Sequence, residues 1–314
     1  MNGARRRPLA LNISVMTRFR AGALIALFGM VVGVSGCAAG GGAVAPAPVP
    51  VVGRQGPPPA RAVVPAVLAA VTTASVSTNR LRAATSGAWR TAPANVSAAL
   101  YDSATGQFVV LHPTVRAYMA STAKLPLLLT AYVQARKGNR TAGRTAATYA
   151  PAMIEHSDNT AATKIWQADG GNAPVRAFTA AIGMTQTVDA RTLWMPWDGR
   201  TTSARDLVIL LRALVLHTSP IAAGDSKVAL GLMSSVERAQ AWGVPAGVPA
   251  ADRTAVKNGW VPVPGHGWTV NTTGVVWSGG HFYCLAVVST GQPSFAAGIT
   301  AVERITRDVA RNLG

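Results

Sequence analysis

Ser121 and Lys124 stand three residues apart in Ala120-Ser121-Thr122-Ala123-Lys124-Leu125-Pro126, directly ahead of the apolar run Leu127-Leu128-Leu129. On a helix that spacing puts both on one face, so the amine can lie beside the hydroxyl. A serine hydroxyl is a weak nucleophile until a neighbouring base takes its proton. Lysine becomes that base only when burial and nearby charge lower its pKa. Composition points the same way: lysine occurs only at 124, 137, 164, 227 and 257, against 24 arginines. Arginine cannot deprotonate in a protein, so lysine at 124 suits a group that must give up a proton. Two more stretches carry matching chemistry: Ser157-Asp158-Asn159-Thr160-Ala161 and Lys257-Asn258-Gly259-Trp260. Each has a plain alternative, a helix cap at Ser157-Asp158 and a surface lysine beside an edge strand at Lys257.

The elements that must position these residues can be read from hydrophobic period and turn chemistry. Ala98 to Ser103 and Gln107 to Leu111 read as a hairpin turning at Ala104-Thr105-Gly106, with glycine where a positive φ is needed. Helices are expected from Lys124 to Ala135, Asp158 to Ala168, Ala173 to Ala181, Ala204 to Leu216 and Asp225 to Gln240. Thr201-Thr202-Ser203 precedes the fourth as its cap. Strands come next at Ala255 to Lys257, Trp268 to Trp277 and Phe282 to Thr290, and a helix from Ala296 to Leu313 closes the chain, with Glu303 and Arg307 at i,i+4 spacing. The expected fold class is α/β of the α+β kind, an antiparallel five-stranded sheet flanked by helices plus an all-helical lobe. A site is expected in the cleft between sheet and lobe.

Taken in order, the three stretches resemble the three signatures of the serine β-lactamase and penicillin-binding protein superfamily, the class A β-lactamase branch most of all. Tyr101-Asp102-Ser103-Ala104-Thr105-Gly106 and Met153-Ile154 agree with it, and the likeness runs from about residue 95 to the C-terminus. The resemblance implies that Ser121 attacks a lactam or peptide carbonyl and forms an acyl-enzyme. It makes Lys124 the proton acceptor, or the cation that lowers the serine's pKa, and Ser157 the relay to the leaving nitrogen. Asn159 would orient Lys124 and bind a substrate amide, and Lys257 would draw the substrate carboxylate. Backbone N–H groups of Ser121 and Trp260 would form the oxyanion hole, worth about 2.7–4 kcal/mol per donor. Gly259 would leave room for substrate along the strand edge.

Two departures from the pattern bear on the reaction. Asn258 stands where the family carries threonine or serine, and its amide is expected to donate to the substrate carboxylate instead. Class A enzymes also carry a glutamate, in a Glu-x-x-x-Asn arrangement, that activates the water which clears the acyl-enzyme. The stretch from Asp189 to Asp198 holds no glutamate. Asp189 matches a structural aspartate of that loop, and Asp198 is a substitute base with shorter reach. Glu155, His156 and His266 have no assigned part and read as solvent-facing or loop residues. Trp194, Trp197, Trp242 and Trp260 either wall the cleft or pack in the core.

The expected activity is therefore a serine acyl-transfer hydrolase that opens β-lactams, with the link to antibiotic resistance that implies. The alternatives are a D-alanyl peptidase-like penicillin-binding protein with slow deacylation, and a non-catalytic wall-binding lipoprotein. Expected partners are a β-lactam or a peptidoglycan peptide, taken up by a monomer. No cofactor is expected, and scattered histidines and two isolated cysteines suggest no metal.

Charge and the N-terminal third bear on location. The 29 Lys and Arg residues against 12 Asp and Glu give a net charge of +17, yet no acid precedes Asp102 and ten of the bases fall between Arg5 and Arg90. No basic cluster interleaves with aromatic residues, which argues against nucleic acid as a partner. Basic residues at 5–7, 18 and 20, an apolar run from Ala21 to Val34, and Val34-Ser35-Gly36-Cys37 make an export signal. Its end resembles the lipobox of bacterial lipoproteins, with Cys37 lipidated and Met16 a plausible start. Residues 1–36 read as signal peptide, 37–78 as a lipidated Ala/Pro/Gly-rich tether, and 79–314 as the hydrolase domain. The expected location is the outer face of the bacterial cell membrane, held by a lipid anchor. Cys284 reads as a buried core residue.

Overall fold

The computed structural model describes residues 82–313. The expected signal peptide, Cys37 and the expected tether through residue 78 fall among residues 1–81, outside the described residues. Among the described residues no helix is long and apolar enough to cross a membrane.

Five antiparallel strands form the main sheet: β1 (Val96–Asp102), β2 (Phe108–Leu111), β6 (Arg253–Val263), β7 (Gly267–Ser278) and β8 (His281–Gln292), in the order β2-β1-β8-β7-β6. The expected hairpin is present, with Tyr101 opposite Phe108. Gly106 sits at φ +70°, and the Asp102 carboxylate accepts from Ala104 N at 2.8 Å and Thr105 Oγ1 at 2.9 Å. A small second sheet joins β3 (Ala117–Tyr118), β5 (Arg200–Thr202) and β4 (Val188–Asp189) in that order. These short pieces carry too few residues for a readable period.

Both faces of the main sheet are covered, so residues of both parities are buried along its central strands, including polar ones such as Asn271, Thr272 and Thr273 in β7. Alternation survives as a division between two cores. Ala99, Tyr101, Cys284, Ala286 and Val288 face the helical side, while Val96, Ala98, Leu100, Leu285 and Val287 face the C-terminal helix through Val302, Ile305 and Val309. That helix, α7 (Phe295–Leu313), carries the Glu303–Arg307 pair at 2.6 Å.

The helical side comprises α1 (Lys124–Arg136), α2 (Arg140–Glu155), α3 (Asn159–Asp169), α4 (Asn172–Ala181), α5 (Ala204–Val215) and α6 (Ala223–Ser234). Ser203 caps α5 by accepting from Asp206 N at 3.2 Å. Helix α2 was not expected from the sequence: it contains Gly143 and Pro151 and is rich in Arg and Thr, and it buries small residues, Ala142, Ala146 and Ala150, at four-residue spacing ahead of Met153 and Ile154. That stripe, after the capping Asn139 whose side chain accepts from Ala142 N at 3.0 Å, is the signal that marks it. The helix expected to run from Asp225 to Gln240 ends at Ser234 and resumes as a 3-10 turn at Arg238–Gln240. The strand expected at Ala255 to Lys257 runs on to Val263, so Lys257, Asn258, Gly259 and Trp260 lie mid-strand.

Candidate active site

Ser121 lies in a 3-10 turn, Ala120–Ala123, that leads straight into α1. Ala120 just before it has φ +47°, a left-handed conformation that an alanine adopts only under constraint. Thr122 steadies the turn by donating Oγ1 to Met119 O at 2.6 Å. From β7, Asn271 donates to Tyr118 O at 2.8 Å, tying the entry to the turn onto the sheet.

Lys124 is fully buried. Its amine is 3.0 Å from Ser121 Oγ, 3.1 Å from Ser157 Oγ and 2.7 Å from Asn159 Oδ1, and it donates to the Ser157 carbonyl as well. Burial, with the Lys257 charge adding to it, lowers its pKa to about 6, partly offset by Asp158. The amine is therefore mostly neutral at pH 7 and has a lone pair to offer a hydroxyl proton.

At Ser157-Asp158 a helix cap and a hydroxyl contact with the lysines occur side by side. Asp158 is the N-cap of α3, accepting from Ala161 N at 2.6 Å. Ser157, at φ +55°, turns its hydroxyl the other way, toward the two lysines. Lys257 reaches that hydroxyl at 2.9 Å and Asn258 O at 3.0 Å. Burial lowers its pKa to about 7.

Strand alternation decides the neighbours of Lys257. Ala255 and Lys257 face the helical side, and Gly259 lies directly on the serine turn: a Cβ there would come within 2.7 Å of Thr122 N and 2.8 Å of both Met119 O and Ser121 N. Only glycine allows that approach. Asn258 points through the opposite face, which corrects the expectation that its amide meets a substrate carboxylate. Both amide hydrogens are already donated, to Gln240 O at 2.8 Å and Trp242 O at 2.9 Å, and the side chain is buried. It pins the Arg238–Gln240 turn under the sheet. Trp260 shares that face, with its ring centroid 5.9 Å from Trp242 and 5.0 Å from Phe295, and Trp268 packs on Phe295 at 6.0 Å.

The loop between β4 and β5 offers no free carboxylate. Asp198 accepts from Leu193 N at 2.8 Å, Trp194 N at 2.7 Å and Met195 N at 2.8 Å, a structural use that corrects its reading as a substitute base. Asp189 pairs with Arg176 at 3.0 Å and Arg200 at 3.5 Å. Trp197, which the sequence left between wall and core, does both: it is buried, and the Lys124 amine lies 5.1 Å from its ring centroid. Trp194 is half exposed and donates to Pro262 O at 3.4 Å, joining the loop to β6. A cavity of about 500 Å³ lies on the Tyr118 side of the turn, lined by Arg116, Arg191 and His266 among others. His156 meets Glu237 at 3.0 Å on the surface. Among the described residues no three His, Cys, Asp or Glu side chains converge as metal ligands.

A five-stranded antiparallel sheet, a helical lobe and a serine, lysine and second serine joined by hydrogen bonds where they meet define the serine β-lactamase and penicillin-binding protein superfamily. A model of the β-lactamase enzyme family matches residues 140–313, more than half of the chain, and the chain belongs to that family. A relative in Mycobacterium tuberculosis, named "Putative lipoprotein LppW", is 30% identical over 226 residues, covering 69% of this chain and 68% of the relative. Among solved structures, a β-lactamase from Xanthomonas campestris superposes with TM-score 0.61 at 20% identity, covering 76% of this chain and 98% of the other. An ancestral class A β-lactamase of Gram-negative bacteria gives 0.58 at 22%, with 76% and 98% covered. The structure titled PBP-A gives 0.58 at 20%, with 75% and 94% covered. At these identities the structures speak for the fold.

Proposed function

We propose that this chain is a serine acyl-transfer hydrolase that takes β-lactams or D-alanyl peptides onto Ser121 and releases them slowly. The observation that carries this reading is the Lys124 amine, buried, lowered in pKa and 3.0 Å from Ser121 Oγ. In the proposed reaction Lys124 takes the serine proton as Oγ bonds to the carbonyl carbon. The C–N bond breaks as Ser157 passes a proton to the leaving nitrogen, with Lys257 holding the substrate carboxylate. Asn159 keeps the amine aimed, and the N–H groups of Ser121 and Trp260 steady the oxyanion. Slow release is supported by the loop, where no glutamate stands and Asp198 is taken up by backbone N–H groups.

The export signal, together with the name of the mycobacterial relative, supports a lipoprotein anchored through Cys37 on the outer face of the membrane. The test is labelling with a fluorescent penicillin. Wild type should be labelled and Ser121→Ala should not. An unlabelled wild type that still binds wall fragments would favour a non-catalytic binder, the reading that the missing loop base favours.

A further inference from the structure

We propose that Trp197 sets the lifetime of the acyl-enzyme by covering the side of the Lys124 amine that its polar partners leave open. This rests on acylation of Ser121 and concerns the hydrolysis of the adduct. Around the amine stand Ser121 Oγ, the Ser157 carbonyl and hydroxyl, and Asn159 Oδ1. The Trp197 ring is the further neighbour, at 5.1 Å from nitrogen to centroid.

The ring is fixed from two directions. Its Nε1 donates to Thr163 Oγ1 on α3 at 3.1 Å, and it lines a small pocket with Pro126, Leu127, Trp166 and Val175. Only 5% of Trp197 is exposed. The next residue, Asp198, is locked to the loop by three backbone N–H groups, so the indole has little freedom to swing away.

Deacylation requires a water oxygen to bond to the acyl carbon while the carbon–Oγ bond to Ser121 breaks, one water proton passing through a base to Oγ. Once the leaving nitrogen has its proton, neutral Lys124 is again able to serve as that base. A water using it must reach the amine, and the loop side presents an aromatic face. An indole has an N–H donor and no acceptor to hold the water, and that N–H is already given to Thr163. The same burial that makes Lys124 a good base for acylation therefore keeps water from using it afterwards.

The test tracks the benzylpenicillin adduct by intact-mass spectrometry after excess drug is removed, so that only the decay of adduct already formed is read. Trp197→Ala should lose the adduct about ten-fold faster than wild type or more, short of the gain a placed base gives. Trp197→Phe, which keeps a ring over the amine, should decay within a few-fold of wild type. The Trp197→Ala decay should also speed up as pH rises through the Lys124 titration, which a merely loosened fold would not produce. Equal decay in wild type and Trp197→Ala overturns the proposal. If Trp197→Ala does not fold, Thr163→Val frees the indole from its anchor without emptying the core; faster decay there supports the proposal and unchanged decay overturns it. A wild type that never gains the adduct overturns the acylation reading and this inference with it, whereas an adduct whose lifetime ignores Trp197 overturns this inference alone.

Discussion

Lys257 donates to the hydroxyl of Ser157 at 2.9 Å, and the Lys124 amine lies 3.1 Å from the same oxygen. A hydroxyl has two lone pairs and one hydrogen. Lys257 takes one lone pair, while the two hydrogens of neutral Lys124 go to the Ser157 carbonyl and Asn159 Oδ1, so the Ser157 hydroxyl keeps its hydrogen to give, which is what a relay to a leaving nitrogen needs.

Two buried amines so close do not hold two positive charges comfortably. Acylation should need Lys124 neutral, favoured above about 6, and Lys257 charged, favoured below about 7. The rate of penicillin acylation against pH should therefore be a narrow bell between these limits, whose flanks belong to the coupled pair. Lys257 lowers the Lys124 pKa through its charge, so Lys257→Met should weaken acylation and move the acidic flank to higher pH. A flank that stays in place would count against the coupling.

Gly259→Ala should injure catalysis through geometry. The added Cβ would meet three backbone atoms of the serine turn at 2.7–2.8 Å, and backbone cannot rotate aside as a side chain can. A stability loss of about 1–3 kcal/mol is expected from overpacking. A fall in labelling rate on the order of 10²-fold is expected from displacing the nucleophile. Calorimetry and labelling kinetics on the same sample check both.

Asn258→Ala should act on stability and leave carboxylate recognition largely alone. It strands the Gln240 and Trp242 carbonyls, which the Asn258 amide now satisfies, at about 1–3 kcal/mol for buried groups left unpaired. Urea unfolding should shift to lower denaturant while the adduct still forms. Loss of labelling with unchanged stability would mean that Asn258 faces substrate after all.

Asp169, at the end of α3, is 3% exposed, and neither carboxylate oxygen has a hydrogen-bond partner. Burial raises its pKa to about 8 from 3.8. Between those values the folded chain holds the proton more tightly than the unfolded chain, so this group's contribution to stability falls as pH rises. Asp169→Asn removes the titration. Its gain in melting temperature over wild type should grow from pH 5 to pH 8, and a gain that does not vary with pH would refute the assignment.

Much of the site was legible in the chain because its chemistry is local in character even where its geometry is not. Ser121 and Lys124 share one turn, and Asp158 caps the helix that presents Ser157 and Asn159. Helix α2 was hidden because its buried face is alanine, and an Ala stripe interrupted by Gly143 and Pro151 carries little hydrophobic contrast. The full length of β6 was hidden because its middle is Lys257-Asn258-Gly259, polar and small residues that read as strand only when both covering layers are in view.

Residue types alone set out a serine and a lysine at helical spacing, two further stretches able to join them, a sheet flanked by helices and a loop with no glutamate. Tertiary structure decided what those residues meet. Burial among one another gave the two lysines their lowered pKa values, since desolvation is a property of the assembled site and not of any sequence position. The side of the sheet decided that Lys257 meets Ser157 while Asn258 holds up a turn beneath. Packing of the β4–β5 loop put the Trp197 ring over Lys124 and spent Asp198 on backbone N–H groups. The contacts of the two lysines with Ser157 and of Trp197 with Lys124 join residues tens of positions apart, and only the folded chain brings them within reach.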